Sequence, residues 1–257
     1  MVQALEEIIA KSSSIVFFGG AGVSTESGIP DFRSVDGLYH QKYAYPPETI
    51  LSHTFWEENP EEFYRFYRDK MLCLDAKPNM AHKKLAELEK AGKLKAVITQ
   101  NIDGLHQAAG SKEVLELHGS VHRNYCMKCG KSYDAEYMLH AEGVPTCSCG
   151  GRIKPDVVLY EEGLDMTVMA RAIQAIQDAD MLIILTAVEK VAVNFGKENE
   201  KWLDDLTVSQ ARKYIEEGQF AAGSMLPKVQ ACVDFASSGT GRTAMITLLE
   251  KAKDGIM

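Results

Sequence analysis

The sequence predicts an α/β protein with a doubly wound parallel sheet, a small cysteine-bearing module and a small helical insert. Short apolar segments of strand length alternate with helical segments over the first 185 residues, an order typical of parallel sheets. Loops rich in glycine and polar side chains follow these apolar segments, and ligands of such sheets bind beyond the carboxyl ends of the strands. Four of the six cysteines cluster between positions 126 and 149.

The predicted elements follow along the chain. A short helix over residues 4–10 precedes a buried strand over 14–18, which ends in a glycine turn. Aromatic residues at helical spacing predict a helical insert over about residues 48–75, packed on the sheet. The next predicted elements are a helix at 79–91 closed by Gly92, strands at 95–99, 114–117 and 157–159, a helix at 167–177 and an apolar strand at 180–185. Further along, a capping box, Thr207-x-x-Gln210, opens a helix to Glu217, and residues 228–236 predict another helix.

The composition excludes several classes of protein. Hydrophobic residues make up 46% of the 257, enough for a sizeable core, and nothing indicates disorder. The formal net charge is −8, whereas nucleic-acid-binding proteins normally carry a basic patch or stripe. The apolar run at 15–18 is too short to span a membrane, and the acidic N-terminal stretch lacks the basic region of a signal peptide. We therefore expect a cytoplasmic protein with neither nucleic-acid nor membrane partners.

The first motif with chemical meaning is the glycine turn Gly19-Gly20-Ala21-Gly22, directly after a predicted strand. Glycines there allow backbone N–H groups to approach a phosphate, although a tight turn without a ligand is the alternative. The run continues through Thr25 to Pro30-Asp31-Phe32-Arg33. Arginine can clamp a phosphate and phenylalanine can line a flat ring, so this continuation favours a binding loop.

Two further polar segments also follow predicted strands. The first, Thr99-Gln100-Asn101-Ile102-Asp103, suits recognition of a sugar or a carboxamide, with an ordinary Asn-Asp turn as the alternative. The second is Glu116-Leu117-His118-Gly119. A neutral histidine at a strand end suits general-base chemistry near neutral pH, and a structural histidine is the alternative. The other six histidines, His106 among them, are interpreted as structural.

The cysteine cluster predicts a metal site. Cys126-x-x-Cys129 and Cys147-x-Cys149 are separated by 17 residues. In a cytoplasmic protein, clustered cysteines more often bind metal than form disulfides. Four thiolates fill the tetrahedral shell of zinc and leave no open position, so the predicted zinc is structural.

Together these four motifs, in this order, resemble the sirtuins. The segment from Ile153 to Tyr160 is similar to the part of that family that lines the acyl-lysine channel and pairs with the peptide backbone. The resemblance covers residues 1–185 and implies a Rossmann-like NAD-binding domain over 1–121 and 153–185, with a zinc-binding module over 122–152. It implies an NAD-dependent protein-lysine deacetylase that acts on an acetylated-lysine protein or peptide and releases nicotinamide and O-acetyl-ADP-ribose. The Tyr and Arg that the family uses for succinyl groups are not evident after Arg33, which favours plain acetyl.

The resemblance also assigns roles to single residues. His118 is the implied general base for a ribose hydroxyl. The implied cofactor-binding residues are Gly20, Ala21, Gly22, Thr25, Asp31, Phe32, Arg33, Gln100, Asn101, Ile102 and Asp103, the last two in the nicotinamide pocket. The implied substrate-binding residues are Val157, Val158, Leu159 and Tyr160.

The chain departs from the sirtuin pattern after the strand at 180–185. A Gly-Thr-Ser turn that holds the NAD phosphates and ribose should follow, but the chain reads Leu185-Thr186-Ala187-Val188-Glu189, and no Gly-Thr-Ser occurs downstream. Residues 186–257 are instead similar to the C-terminal, ATP-binding part of carbamate kinase, in which the lysine matching Lys228 faces phosphates. We therefore predict a chimera, joined within an apolar strand that both families have. Its tail is expected to add one or two strands and covering helices, and so to complete the α/β domain.

Three hypotheses of function follow. The first is an NAD-dependent deacetylase, impaired because half of the NAD site is replaced. The second is a zinc-bearing scaffold or peptide-binding module without turnover. The third is a nucleotide-binding kinase fragment, against which the absence of the kinase's substrate half counts.

Overall fold

The computed structural model describes residues 2–31, 44–186 and 190–248. The helices are α1 Val2–Lys11, α2 Pro47–Ile50, α3 His53–Glu58, α4 Pro60–Phe66, α5 Met80–Lys90, α6 Leu105–Ala109, α7 Ala135–His140, α8 Met166–Gln177, α9 Val208–Glu216 and α10 Met225–Ser237. The strands are β1 Ile15–Gly19, β2 Leu94–Thr99, β3 Val114–Glu116, β4 Gly119–Cys126, β5 Ser132–Tyr133, β6 Ile153–Val157, β7 Met181–Thr186, β8 Val191–Val193, β9 Lys201–Leu203 and β10 Thr243–Leu248. A π-helical turn, Tyr67–Met71, continues α4.

A five-stranded sheet with the order β10-β7-β1-β2-β3 forms the centre of the molecule. Each of its neighbouring pairs is parallel. Side chains alternate between its faces: Phe17 and Ile183 pack in one apolar cluster, whereas Val16 and Leu182 pack in another. Because both faces are covered, the strands are apolar throughout, as parallel strands usually are. The predicted doubly wound sheet is confirmed.

The helical insert is also confirmed. Helices α2 to α4 and the π-helical turn bury Phe63, Tyr64 and Tyr67 completely. These rings share a cluster with Ile153 and with Cys126 of the metal-binding module. Among the described residues, this cluster contains no residue of the central sheet. The insert therefore packs on the metal-binding module and forms one core with it, and the predicted packing on the central sheet is not confirmed.

The strand predicted at residues 157–159 is wrong. The strand in this region is β6, Ile153–Val157, and it pairs antiparallel with β4 in a three-stranded sheet of order β5-β4-β6. Pro155 lies within this strand, and proline cannot donate a ladder hydrogen bond. An edge strand tolerates proline, and β6 is an edge. The three-stranded sheet therefore begins before and ends after residues 122–152, the predicted bounds of the zinc-binding module.

The tail packs as an integral part of the fold. Strand β10 pairs with β7 from Thr243 opposite Met181 to Leu248 opposite Thr186. Helix α10 places Phe235 in the apolar cluster on one face of the sheet. Thr207 and Gln210 form the predicted capping box at the start of α9. The tail thus adds one strand and covering helices to the central sheet, and the short β8–β9 hairpin brings its described strands to three, where one or two were expected.

Within the described residues, no helix is both long and apolar enough to cross a membrane.

Candidate active site and zinc centre

Three loops follow neighbouring strands and meet at one edge of the sheet. The amide of Gln100, after β2, donates to the Gly19 carbonyl at the end of β1 (3.0 Å). The amide of Leu117, after β3, donates to the Thr99 carbonyl (2.9 Å). The glycine turn, the Gln100–Asp103 loop and His118 therefore lie side by side at the carboxyl ends of the strands, where ligands of such sheets bind.

The glycine turn is shaped by its neighbour in the second loop. A Cβ added to Gly20 would lie 3.0 Å from Oε1 of Gln100, whereas one added to Gly22 would meet no atom of the described residues within 4 Å. Gly20 therefore allows the two loops to approach closely. Ala21 to Val23 form a tight helical turn, and the Thr25 hydroxyl closes it by donating to the Gly22 carbonyl (3.0 Å).

A buried serine joins the first two loops. Oγ of Ser24 donates to Oδ2 of Asp103 (2.6 Å) and accepts a hydrogen bond from Nδ2 of Asn101 (2.9 Å). Ser24 is fully buried. Asn101 and Asp103 are among the residues predicted from the sequence, whereas Ser24 is not, although its place directly after the glycine turn is a usable signal. Its role is to hold the amide and the carboxylate in one orientation.

A second support of the glycine turn was also missed. Asn79 caps α5 through its side-chain oxygen, and its Nδ2 donates to the Val23 carbonyl (2.7 Å) and to Oγ of Ser27 (3.1 Å). This contact attaches the loop after β1 to a helix of the sheet's covering layer. In the sequence, Asn79 is recognisable only as a helix cap.

Asp31 is described and half-buried, whereas the predicted Phe32 and Arg33 lie outside the described residues. Their assignment to the cofactor stays a prediction.

His118 lies next to the Gln100–Asp103 loop and to the predicted substrate segment. It is half-buried, and burial lowers the pKa of its imidazole, partly offset by a hydrogen bond with the backbone of Gln100. Its carbonyl accepts the Val158 amide (3.0 Å). Gly119 has φ +75, and a Cβ there would lie 1.9 Å from the Asp156 carbonyl oxygen. Only glycine permits this close approach of two backbones, which brings His118 to the segment Val157–Tyr160.

The predicted substrate segment, residues 157–160, is held from two sides. Val157 ends β6, and Val158 contacts His118 as described. At the other end, the Tyr160 amide donates to the Leu51 carbonyl (3.0 Å), and the His53 amide donates to the Tyr160 carbonyl (3.0 Å). Leu159 is buried between these anchors. The segment therefore bridges the general-base candidate and the helical insert.

His106 is not a second base candidate. Its ring is buried against His82 (4.7 Å between centroids), and burial lowers the pKa of His106 to about 3. Neither ring nitrogen has a hydrogen-bond partner within the part of the chain that the structure describes. The structural interpretation of this histidine fits its burial.

The four cysteines form one cluster. Sγ of Cys126 and Cys149 are 3.4 Å apart, those of Cys129 and Cys147 are 3.7 Å apart, and all four lie within 4.8 Å of one another. Tetrahedral zinc with bonds of about 2.3 Å places its sulfurs about 3.8 Å apart, so this donor set fits zinc. Hydrogen bonds from the Cys149 amide and from Tyr133 lower the pKa of the Cys147 thiol to about 5. A zinc ion bound by all four thiolates has no open coordination position, so its role is structural.

Comparison with known proteins decides the family. The model described as "Sir2 family" matches residues 20–193. The chain belongs to the Sir2 family. An NAD-dependent protein deacetylase of Clostridium acetobutylicum is 62% identical over 187 residues, covering 71% of this chain and 76% of that protein. Two solved Sir2 structures are each 42% identical and cover 72% of this chain and 75% of theirs. One contains a p53 peptide and NAD+ (TM-score 0.63), the other a deacetylated p53 peptide and 3′-O-acetyl ADP ribose (TM-score 0.66).

The Sir2 match contains each of the predicted site residues, from Gly20 to Tyr160. The resemblance on which those predictions rest is therefore confirmed at the level of the family. Residues 194–257 lie beyond the match. The carbamate-kinase-like origin of the tail stays a prediction.

Proposed function

We propose that this Sir2 chain is an NAD-dependent protein-lysine deacetylase that releases nicotinamide and O-acetyl-ADP-ribose. The observation that carries the proposal is the place of His118, whose half-buried imidazole forms a hydrogen bond with the backbone of Gln100 and whose backbone carbonyl accepts the Val158 amide (3.0 Å). A curated relative at 62% identity bears this activity in its name. The cytoplasmic location expected from the sequence stays a prediction.

The residues at the sheet edge suit NAD. None of the described residues fills the space beside Gly22, which favours approach of the phosphates to its backbone, and Ala21 and Thr25 border the same turn. Gln100 and Asn101 offer amides to the ribose, and Ile102 and Asp103 border the nicotinamide. Asp31, Phe32 and Arg33 complete the proposed cofactor set. When bound, NAD supplies the ribose carbon that accepts the acetyl oxygen and the nicotinamide that leaves.

The other residues bind, orient or move a proton. Val157, Val158, Leu159 and Tyr160 hold the acetyl-lysine and the peptide backbone around it. The imidazole of His118 takes the proton from a ribose hydroxyl, which then attacks the transferred acetyl carbon. Ser24 keeps Asn101 and Asp103 in place for this chemistry. The zinc stabilises the module that carries β6, and no step passes through it.

A specific observation supports a second candidate, a zinc-bearing peptide-binding scaffold without turnover. The Sir2 match ends at residue 193, and Thr186 and Ala187 stand where a sirtuin has its Gly-Thr-Ser turn. Each missing hydrogen bond to a phosphate weakens NAD binding by about 1.5–3 kcal/mol. The two candidates therefore differ in NAD binding and not in peptide binding.

The deciding experiment mixes the protein with an acetyl-lysine peptide and millimolar NAD, and follows nicotinamide and deacetylated peptide together. For the deacetylase, we expect both products to appear in equal amounts, with none from the unacetylated peptide. Peptide binding without either product would contradict the proposed activity and favour the scaffold.

The rate should depend on pH through His118. The base must be neutral, and burial lowers its pKa below the ordinary 6.5, so the neutral form persists into mildly acidic solution. We expect kcat to hold as the pH falls to about 6.5 and to decline only below it. A pH profile of kcat at saturating substrates checks this. An acidic limb centred above 6.5 would contradict the assignment.

A further inference from the structure

The carboxylate of Glu162 is the point where three parts of the molecule meet. Its Oε2 accepts the Leu159 amide (2.9 Å) and Nζ of Lys154 (3.1 Å), and its Oε1 pairs with Nδ1 of His53 (2.7 Å). Leu159 belongs to the proposed substrate segment, Lys154 to β6, and His53 to the first turn of α3. One side chain thus joins the substrate segment to both the zinc module and the helical insert.

The contact between Lys154 and Glu162 is largely shielded from solvent, whereas the side chain of His53 is 38% exposed. The side chains of Lys154 and Glu162 are 13% and 21% exposed. Nζ of Lys154 also donates to the Val157 carbonyl (3.0 Å), so the ammonium contacts the start of the substrate segment as well. Burial opposes ionisation of Glu162, yet the Leu159 amide, His53 and Lys154 together lower its pKa. Glu162 therefore faces Lys154 as a charged carboxylate, and hydrogen bonds between charged groups are stronger than those between neutral groups.

The neighbouring residue shows that the turn after the substrate segment needs support. Glu161 has φ +77, a left-handed conformation that residues with a side chain rarely adopt. Its carboxylate accepts the amide (2.9 Å) and the hydroxyl (2.7 Å) of Thr54 in α3. The two glutamates have different targets: Glu161 fastens the turn to α3, whereas Glu162 reaches back to the substrate segment itself.

We propose that Glu162 is a positioning residue for the acetyl-lysine peptide: by holding the Leu159 amide together with Lys154 and His53, it sets the shape of the segment that receives the peptide. This inference rests on the proposed function. Glu162 acts through the backbone of Leu159 and has no hydrogen bond to the glycine turn or to the Gln100 loop among the described residues. Its loss should therefore weaken the peptide and leave NAD unaffected.

The test uses Glu162→Gln, which keeps the size of the side chain and removes its charge. We expect the Kd of a fluorescent acetyl-lysine peptide to rise about tenfold, the loss of one charge-assisted hydrogen bond, with a matching rise in KM for peptide. KM for NAD should not change. Glu162→Asp keeps the charge on a side chain one methylene shorter, and we expect an intermediate Kd. The matched control is Glu57→Gln, which removes the other carboxylate near His53 (3.5 Å) without touching Leu159 or Lys154.

The outcomes separate this inference from the proposed function. The peptide Kd of each variant is measured by anisotropy, and its zinc content and thermal unfolding are recorded to show whether it folds. If Glu162→Gln does not fold, the Kd of Glu162→Asp decides the inference. The inference would be overturned if Glu162→Gln or Glu162→Asp bound the peptide as tightly as Glu57→Gln. The proposed function would stand in that case, provided that the wild type still turns over. A rise in KM for NAD equal to that for peptide would overturn it too. If the wild type neither prefers the acetylated peptide nor releases nicotinamide, the proposed function fails and takes the inference with it.

Discussion

Replacing His118 with alanine is expected to reduce the steady-state formation of deacetylated peptide by about a hundredfold or more, the usual contribution of a general base. Within the described residues, the other histidines near the sheet edge are unsuited to replace it. His106 is buried with a pKa of about 3, and Nε2 of His122 contacts the Asp103 carbonyl (3.0 Å). The fold should survive, because the variant keeps the backbone contacts of His118 and gives up the hydrogen bond between its imidazole and the Gln100 backbone.

The measurement is the rate of deacetylated-peptide formation at saturating NAD and peptide, with thermal unfolding recorded for each variant. His140→Ala is the matched control, because His140 is an exposed histidine on α7 whose ion pair is with Glu136 of the same helix. Its rate should equal that of the wild type. A His118→Ala variant that keeps a tenth or more of the rate would rule out the general-base assignment.

Removal of zinc is expected to unfold the module between β4 and β6 and to abolish peptide turnover. Structural zinc sites of four ligands contribute about 10–16 kcal/mol of apparent binding free energy, so their folding depends on the metal. The effect should reach beyond the module, because Cys126 and Cys147 share one apolar cluster with Phe63 and Tyr64 of the helical insert. Loss of the module therefore exposes part of the insert's core and releases β6, which leads into the substrate segment.

Chelation followed by zinc analysis, circular dichroism and the peptide assay tests this expectation. Activity and thermal stability should fall together and return when zinc is added back. Cys147→Ser should reproduce the loss, whereas Cys73→Ser should not, because Cys73 lies outside the cluster. A metal-free protein with an unchanged unfolding temperature would refute the structural role of the zinc.

Local patterns were enough to predict most of the fold. The central strands and the helices α5, α8 and α9 follow from apolar periodicity and from caps such as Thr207, which act over a few residues. The four cysteines predicted their cluster because zinc chemistry needs little beyond four thiols at suitable spacing. The predicted strand at residues 157–159 is wrong because the strand in this region contains Pro155, which locally disfavours a strand. Proline is acceptable there only because β6 is an edge strand, which the sequence does not reveal.

The sequence by itself determined which loops are candidates for the chemistry: the glycine turn, the Gln100–Asp103 loop and His118 each follow an apolar strand. Only the tertiary structure decided which side chains hold them. Ser24 meets Asp103 across 79 positions, and Glu162 meets His53 across 109. It also placed β10 beside β7. The physical reason is that a repeat of two or 3.6 residues records which face of an element is buried, whereas a hydrogen-bond partner far along the chain is set by how the elements pack.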